Sequence, residues 1–577
     1  MNALLATVNA KYIHTNLALR YIKAYAQPEF DLELVEYTLK DTAMNIVSDL
    51  YQRKPDVVMF STYIWNVTPT LEILDLFKKV WPDALTVVGG PEVSFDVRER
   101  LLGYPQIDVI CMREGELTTK LLLEALRDGK PLSTVPGIAY REEGQVVVNP
   151  SSGYLDLSSI KSPYRFPEDI LHLPKRITYV ETSRGCPFSC QFCLSSIEHG
   201  MRYFDIDWIK GELRYLMEHG AKVIKFLDRT FNTNKKYAME IFRFLIDEHR
   251  PGCVFQFEIT ADIMPPDIIE FLNEHAPPGL FRFEIGVQST NDLTNDIIKR
   301  RQNFGKLSHI VNLIEDGGKI DQHLDLIAGL PEENYLSFKK TFNDVFALRP
   351  EELQLGFLKM LRGTGLRARA AQHGYVYMDH PPYEILQNDV LSFEDGVRLR
   401  QTEDVLEKYW NDHRMDLTVE YLVANVFDSP FEFFQDFGTY WEARGWSRIG
   451  HQLPDLFRRL HDFLKDRGTP DLDVVLGIMK VDYLSGQKLK PKIWWKSAKT
   501  SPSLFYGELV GNPGILGAEY SKAPLSLQEL HKHTLVEELP FDYSHFKSTG
   551  RVLHSPKKIL FYFSPSERKC LVYEERR

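Results

Sequence analysis

The chain of 577 residues reads as an α/β protein with three parts. A doubly wound, Rossmann-like parallel sheet is followed by a partial (β/α)6 TIM-like barrel and then by a mostly helical C-terminal domain with a small β-rich end. Three observations predict this. Short apolar runs alternate with helix-length segments up to about residue 126, and a second strand–helix series runs from 177 to 358. From 381 the pattern turns to amphipathic helix-length stretches. The expected divisions are a first domain at 1–150, a linker at 151–174, a core at 175–375 and a last domain at 376–577. A hydrophobic content of 44% supplies ample core for several domains.

In the first domain, residues 3–8 are a buried strand and 17–25 a helix. Residues 32–37 form the next strand, Asp41 caps a helix to about 51, and 57–61 is a continuous apolar strand. Thr68 caps a helix to 80, residues 85–88 and 108–112 are the fourth and fifth strands, and 117–126 is helical. Repeated strand–helix units imply a parallel sheet, and such sheets bind ligands beyond the carboxyl ends of their strands. The segments there are residues 9–16, Thr62-Tyr63-Ile64-Trp65-Asn66 with Ser61 before it, Gly89-Gly90-Pro91-Glu92, and Arg113-Glu114-Gly115-Glu116. Paired glycines let backbone approach a bulky ligand, although a lone Gly-Gly-Pro turn often only reverses the chain.

Residues 149–175 carry serines and prolines with little periodicity, as a linker does. Strands follow at 177–183, 222–228, 254–260, 281–287, 322–328 and 353–358, with helices such as 209–218 and 238–248 between them. The first strand runs into Glu-Thr-Ser-Arg-Gly-Cys-Pro-Phe-Ser-Cys-Gln-Phe-Cys (181–193). Its CxxxCxxC triplet, Cys186, Cys190 and Cys193, offers three thiolates where a four-iron cluster takes four, which leaves one iron open for chemistry. Zinc is the alternative, but it asks for a fourth ligand at a compatible spacing, and His199 is the candidate. Polar residues gather where the barrel strands end: Asp228, Glu258, Glu284 and Gln288, with Asp325 and Gly329 after them. Carboxylates and amides there suit hydrogen-bonded ligands, or else bond within the barrel. Arg202 either pairs with a carboxylate or lies at the surface.

The triplet, at a strand's carboxyl end with aromatic Phe192 before its third cysteine, resembles the radical S-adenosylmethionine (radical SAM) superfamily. The resemblance implies a [4Fe-4S] cluster on Cys186, Cys190 and Cys193 whose open iron chelates SAM and splits it into methionine and a 5'-deoxyadenosyl radical. It also implies that Phe192 lies near the adenine, Asp228 near the SAM amino group, and Glu258, Glu284 and Gln288 nearer the ribose and methionine portions. With that motif downstream, the loop segments of the first domain resemble the cobalamin-binding domain of one large class of these enzymes. Ser61, Thr62, Tyr63, Trp65, Gly89, Gly90, Glu114 and Gly115 then become cobalamin contacts. One departure stands out: many cobalamin domains carry Asp-x-His-x-x-Gly after the first strand, whereas here His14 is off register and no glycine follows. A base-off cofactor without a histidine ligand is expected, with His14 as axial ligand the alternative. Tyr63 or Trp65 then caps the lower corrin face or simply packs at the strand end.

Beyond the core, helices are expected at 393–411, 417–426 and 453–464. Short apolar runs at 552–553, 558–563 and 569–573 suggest the β-rich module, and the whole resembles an accessory domain found behind the core in some cobalamin radical SAM proteins. The run from Lys488 to Lys496 mixes lysines with Trp494 and Trp495, which suits either a single-strand binder or a solvated strand edge.

Net charge of -11 gives no general attraction for nucleic acid. Six cysteines, three of them in the triplet, leave no disulfide framework, and no run is apolar enough for a membrane span, so a reducing, cytoplasmic setting is expected. The resemblance implies functionalisation of an unactivated C–H bond, foremost methyl transfer to carbon, on a small-molecule, lipid or tetrapyrrole-like substrate. The electron comes from a donor such as flavodoxin or ferredoxin. Radical cyclisation, rearrangement or oxygenation without methyl transfer is the enzymatic alternative. A tRNA methylthiotransferase would bring three further N-terminal cysteines, where this chain has only Cys111. A cobalamin-binding sensor would leave the triplet idle.

Overall fold

The computed structural model describes all residues except 198–199, 498–500, 518–524, 566–568 and 575–577, so His199 lies outside the described residues. It divides into two compact units, one of residues 1–350 and 355–393, the other of 351–354 and 394–577.

The first unit opens with a seven-stranded sheet ordered Leu32–Thr38, Ala3–Asn9, Val57–Ser61, Leu85–Gly89, Val109–Cys111, Ile138–Glu142, Gln145–Val148. The first five strands are parallel and the last two antiparallel. Both faces are dry because helices cover both: Leu4, Ala6, Val58 and Phe60 pack with Ile73 and Phe77, while Leu5, Met59 and Val87 pack with Leu122 and Leu123. Strand order reverses between Ala3–Asn9 and Val57–Ser61, so the loops after these two strands flank the ligand crevice of such sheets.

Three local expectations need correcting. Thr42, not Asp41, caps helix Ala43–Arg53, while Asp41 accepts from Thr38 N at 2.7 Å. Helix Val67–Val80 already contains Thr68, and Asn66 precedes it. The hairpin of the last two strands went unread because its two-residue turn, Glu143-Gly144, takes positive φ at both positions without the usual Asn-Gly or Asp-Gly signal.

Six barrel strands follow in sequential order: Ile177–Val180, Val223–Phe226, Val254–Ile259, Phe281–Gln288, Asp321–Ala328 and Glu352–Phe357. Period-two alternation sorts their side chains. Phe226, Phe255, Phe257, Phe281 and Phe283 are buried on the helix side, with Phe226 and Phe257 stacked at 4.2 Å. The other face carries Tyr179, Lys225, Gln256, Glu258, Arg282, Glu284, His323 and Asp325, all half-buried. The strand expected at 177–183 is split, since Ser183–Arg184 leaves the sheet to pair with Arg202–Tyr203. Helices Ile206–Glu218 and Lys235–Glu248 start before their apolar periodicity does, set instead by side-chain caps from Asp205 and Asn234.

In the second unit, helices Asp416–Asn425, Pro430–Ala443, Leu453–Asp466 and Leu472–Ser485 precede an antiparallel sheet of Thr534–Leu539, Lys557–Phe563 and Cys570–Glu574. The helix expected at 393–411 ends its α-turns at Leu406 and continues as a π-turn, Glu407–Asn411. Pro430–Ala443 went unread because it buries Phe431, Phe433, Phe434 and Phe437 nearly all round, with no clean polar stripe. Val552 and Leu553 are not in a strand. The run from Lys488 to Lys496 is irregular, with Trp494 against Trp495 at 5.4 Å and all four of its lysines exposed. Among the described residues no helix is long and apolar enough to cross a membrane.

Candidate active site

In the first unit, loops at the carboxyl ends of the amino-terminal sheet reach the barrel and the segments after its strands, and four of these contacts bear on the site. His14 Nδ1 lies 2.7 Å from the Tyr179 hydroxyl. Ile64 packs with Phe192, Leu330, Leu358 and Tyr383 in one apolar cluster. Glu92 accepts a hydrogen bond from the Tyr383 hydroxyl at 2.8 Å. Arg184 pairs with Glu116 at 2.6 Å and Glu114 at 3.2 Å.

The cysteine loop leaves the barrel through Gly185, whose φ of +93° suits glycine. Cys186 and Cys190 are buried and Cys193 is half-buried; all three are free thiols. The loop is tied down on both sides. Gln191 N donates to Ile298 O at 2.8 Å, Leu366 N donates to Gln191 O at 2.8 Å, and Ser196 Oγ donates to the Cys190 and Cys193 carbonyls. Burial pushes the Cys186 and Cys190 thiols up, and the neighbouring cysteines add to the rise. Bound metal overrides that shift by deprotonating the thiols outright. Among the described residues no three His, Cys, Asp or Glu side chains are arranged to hold a metal ion. A cubane asks each thiolate to reach a different iron, and three neighbouring thiols on one fixed loop fit that donor set.

The polar strand ends differ in what they are free to do. Asp228 is buried, and its carboxylate accepts from Thr182 N at 3.0 Å, Thr182 Oγ1 at 2.7 Å and Ser183 Oγ at 2.5 Å. It holds the lead into the cysteine loop. Glu284 accepts from Lys225 Nζ at 2.7 and 2.9 Å and from Gln256 Nε2 at 2.6 Å. Glu258, whose carboxyl burial raises, makes no hydrogen bond or ion pair. Gln288 sits at a register shift with φ of +68° and leaves its Oε1 buried without a partner. An orphaned acceptor and a free carboxylate on this barrel fit a ligand rich in hydroxyl and amino donors, as SAM is.

At the sheet crevice, Asn16 Nδ2 donates to Ser61 Oγ at 2.9 Å, and Ser61 Oγ donates to Thr7 Oγ1 at 2.9 Å. Thr62 N and Oγ1 both donate to Gly89 O, at 2.7 and 2.8 Å. Gly90 has φ of +110°, and a Cβ there would stand 2.4 Å from Thr62 O. The two loops thus close on each other with no side chain between them. Tyr63 and Trp65 stack at 4.5 Å and 2°, with Trp65 46% exposed, which fits a broad, flat ligand such as a corrin. Burial pushes the Tyr63 phenol up to about 12. Glu114 is committed elsewhere, to Arg184, to Arg202 and to Leu155 N at 2.9 Å; Arg202 is thus a carboxylate partner. Gly115 opens helix Glu116–Asp128 against Ile22.

Four residues that belong to this site were not singled out from sequence. Glu181 and Arg184 meet at 3.0 Å just ahead of the cysteines. The charge of Arg300 opposes the rise of the Cys190 thiol, and Arg229 follows Asp228. Their signal was only adjacency to the motifs.

Fold and cysteine loop together define a radical SAM protein whose core follows a doubly wound domain. Family models match a B12 binding domain at residues 3–123, the radical SAM superfamily at 180–345, and a protein of unknown function (DUF4080) at 371–561. The chain thus carries a B12 binding domain ahead of a radical SAM core. Among curated relatives, an uncharacterised methyltransferase, PH0819, of Pyrococcus horikoshii is 31% identical over 39% of this chain and 51% of its own length. The cobalamin-dependent radical SAM methyltransferase TokK of Streptomyces tokunonensis is 27% identical over 50% and 44%. An anaerobic magnesium-protoporphyrin IX monomethyl ester cyclase of Rubrivivax gelatinosus is 26% identical over 50% and 54%. The chain spans about half the length of these relatives. Among solved structures, the methyltransferase TsrM of Kitasatospora setae with cobalamin and [4Fe-4S] cluster bound aligns at TM-score 0.55 and 15% identity, covering 66% of this chain and 79% of that one. OxsB with aqua-cobalamin and S-adenosylmethionine aligns at 0.56 and 17%, covering 83% and 78%. At those identities the likeness is one of fold.

Proposed function

We propose that the protein holds a [4Fe-4S] cluster on Cys186, Cys190 and Cys193, binds SAM and cobalamin, and transfers a methyl group to an unactivated carbon of a small molecule. The observation that carries this reading is the meeting of the two sets of strand ends, which brings the corrin-suited loops of one domain over the three-thiol loop of the other. With these groups bound, cluster and SAM supply a hydrogen-abstracting radical, and cobalamin a transferable methyl group.

The chain's own residues orient and shield. Asp228 fixes Thr182 and Ser183, and through them the cysteine loop. Gln288 and Glu258 accept hydrogen bonds from SAM. Phe192, in its apolar cluster with Ile64, keeps water from the space between cofactors. Tyr63 and Trp65 offer their stacked rings to the corrin. A flavodoxin or ferredoxin in a reducing, cytoplasmic setting supplies the electron. Ring formation without methyl transfer is the second reading, motivated by the cyclase among the relatives.

The test uses the anaerobically loaded, reduced protein with methyl-deuterated SAM and a small-molecule extract. Label in a product together with S-adenosylhomocysteine supports methyl transfer. Deoxyadenosine with neither one rejects it and favours cyclisation.

A further inference from the structure

Residues 359–387 follow the last barrel strand and stay with the first unit. The segment doubles back on itself: Met360 N donates to Tyr383 O at 2.8 Å, and Val376–Tyr377 pairs with Ile385–Gln387. On one side it holds the cysteine loop. Leu366 N donates to Gln191 O at 2.8 Å, and the Gly365 backbone lies so close that a Cβ there would collide with the Gln191 side chain. On the other side it holds the loop after Leu85–Gly89. Gly363, at φ of +83°, approaches Phe95 so that a Cβ would stand 2.5 Å from the ring, and Arg362 pairs with Asp96 at 3.0 Å.

A single hydroxyl joins these contacts. Tyr383 is fully buried; its hydroxyl donates to Glu92 at 2.8 Å and accepts from Arg100 and Arg362, each at 3.2 Å. A phenol has one proton and two acceptor sites, so all three are in use. Glu92 is 2% exposed and stands two residues after Gly90, whose approach to Thr62 shapes the crevice. The Tyr383 ring packs in the apolar cluster that takes Ile64 from the crevice and Phe192 from the cysteine loop. A buried polar network with every member bonded rigidifies one arrangement of the parts it joins.

We infer that Tyr383 is a positioning residue whose hydroxyl fixes the Gly90–Glu92 loop relative to the cysteine loop, and so sets the spacing of the two cofactors. The inference rests on the functional reading above. It gives the start of the region matched at 371–561 a part in that reaction.

The test is electron paramagnetic resonance of the full chain loaded with cluster and cobalamin, reduced to the paramagnetic cluster and cobalt(II), with the magnetic splitting between the two centres as readout. Wild type is expected to show one sharp splitting. Tyr383→Phe, which removes the hydroxyl and keeps the ring, is expected to broaden and weaken it. Tyr375→Phe is the control: its buried hydroxyl donates to Gly329 O at 2.8 Å, within the barrel, so it loses a bond of the same kind and is expected to keep the wild-type splitting. Glu92→Gln, which retains an acceptor for the hydroxyl, is expected to stay nearer wild type than Glu92→Leu, and this pair carries the test if Tyr383→Phe does not load. The same splitting in Tyr383→Phe as in wild type, equal broadening by Tyr375→Phe, or a doubly loaded wild type without splitting overturns the inference. Iron and cobalt are counted in every sample, so a wild type lacking either metal is seen separately, as failure of the functional reading.

Discussion

Arg184 and Glu116 meet at 2.6 Å, joining the residue two places before the first cluster cysteine to the first turn of the helix Glu116–Asp128 in the B12-binding domain. The same guanidinium meets Glu181 at 3.0 Å and Glu114 at 3.2 Å, with its side chain only 11% exposed. Replacing Arg184 with Met would leave Glu116 and Glu181 uncompensated, while Glu114 keeps Arg202. Breaking such a group by removing one partner costs about 3–5 kcal/mol. The expected outcome is a lower denaturation midpoint and reduced iron loading although no cysteine has changed. Arg184→Lys restores part of both, since an ammonium supplies the charge but not the fork.

Gly89 and Gly90 separate by geometry. Alanine at Gly90 meets the Thr62 carbonyl at 2.4 Å and must hold φ of +110°, a strain of about 1–3 kcal/mol before the clash is counted. At Gly89 the nearest atom to a new Cβ is 3.5 Å away, an ordinary contact. Thermal unfolding is expected to show a clear loss for Gly90→Ala, with Gly89→Ala within about 0.5 kcal/mol of wild type.

Glu333 gives a pH signature. It is fully buried, accepts from Ser289 Oγ at 2.6 Å and Thr341 Oγ1 at 2.7 Å, and leaves Oε2 without a partner. Burial raises its carboxyl from 4.5 to about 7. Between those values the folded chain keeps a proton that the unfolded chain has lost, so stability falls as pH rises and levels off above pH 7. The loss is about 3 kcal/mol by linkage. Glu333→Gln, neutral at every pH, is expected to flatten that stretch of the melting profile and to be more stable than wild type at pH 8. An unchanged profile would contradict the assignment.

Sequence patterning reached the layout because period-two and helical alternation are local. Each barrel strand was found to within a few residues, except where Ser183 and Arg184 turn away to pair with Arg202 and Tyr203. The cysteine triplet was legible because its spacing is itself the chemistry. What patterning missed depends on contacts across the fold. Asp228 looked like a ligand contact, and only the structure shows its carboxylate committed to Thr182 and Ser183. Glu114 looked like part of a cofactor loop but belongs to an ion-pair network reaching Arg184 and Arg202, 70 and 88 residues away. No neighbour in sequence carries that information.

The most direct measurement is iron and cobalt per chain after anaerobic expression with cobalamin and reconstitution with iron and sulfide, for wild type and for the Cys186, Cys190 and Cys193 alanine variants. Wild type is expected to hold about four irons and one cobalt, and each variant to lose its iron while keeping cobalt. Cobalt without iron in the wild type, or iron retained in the cysteine variants, would contradict the two-cofactor account.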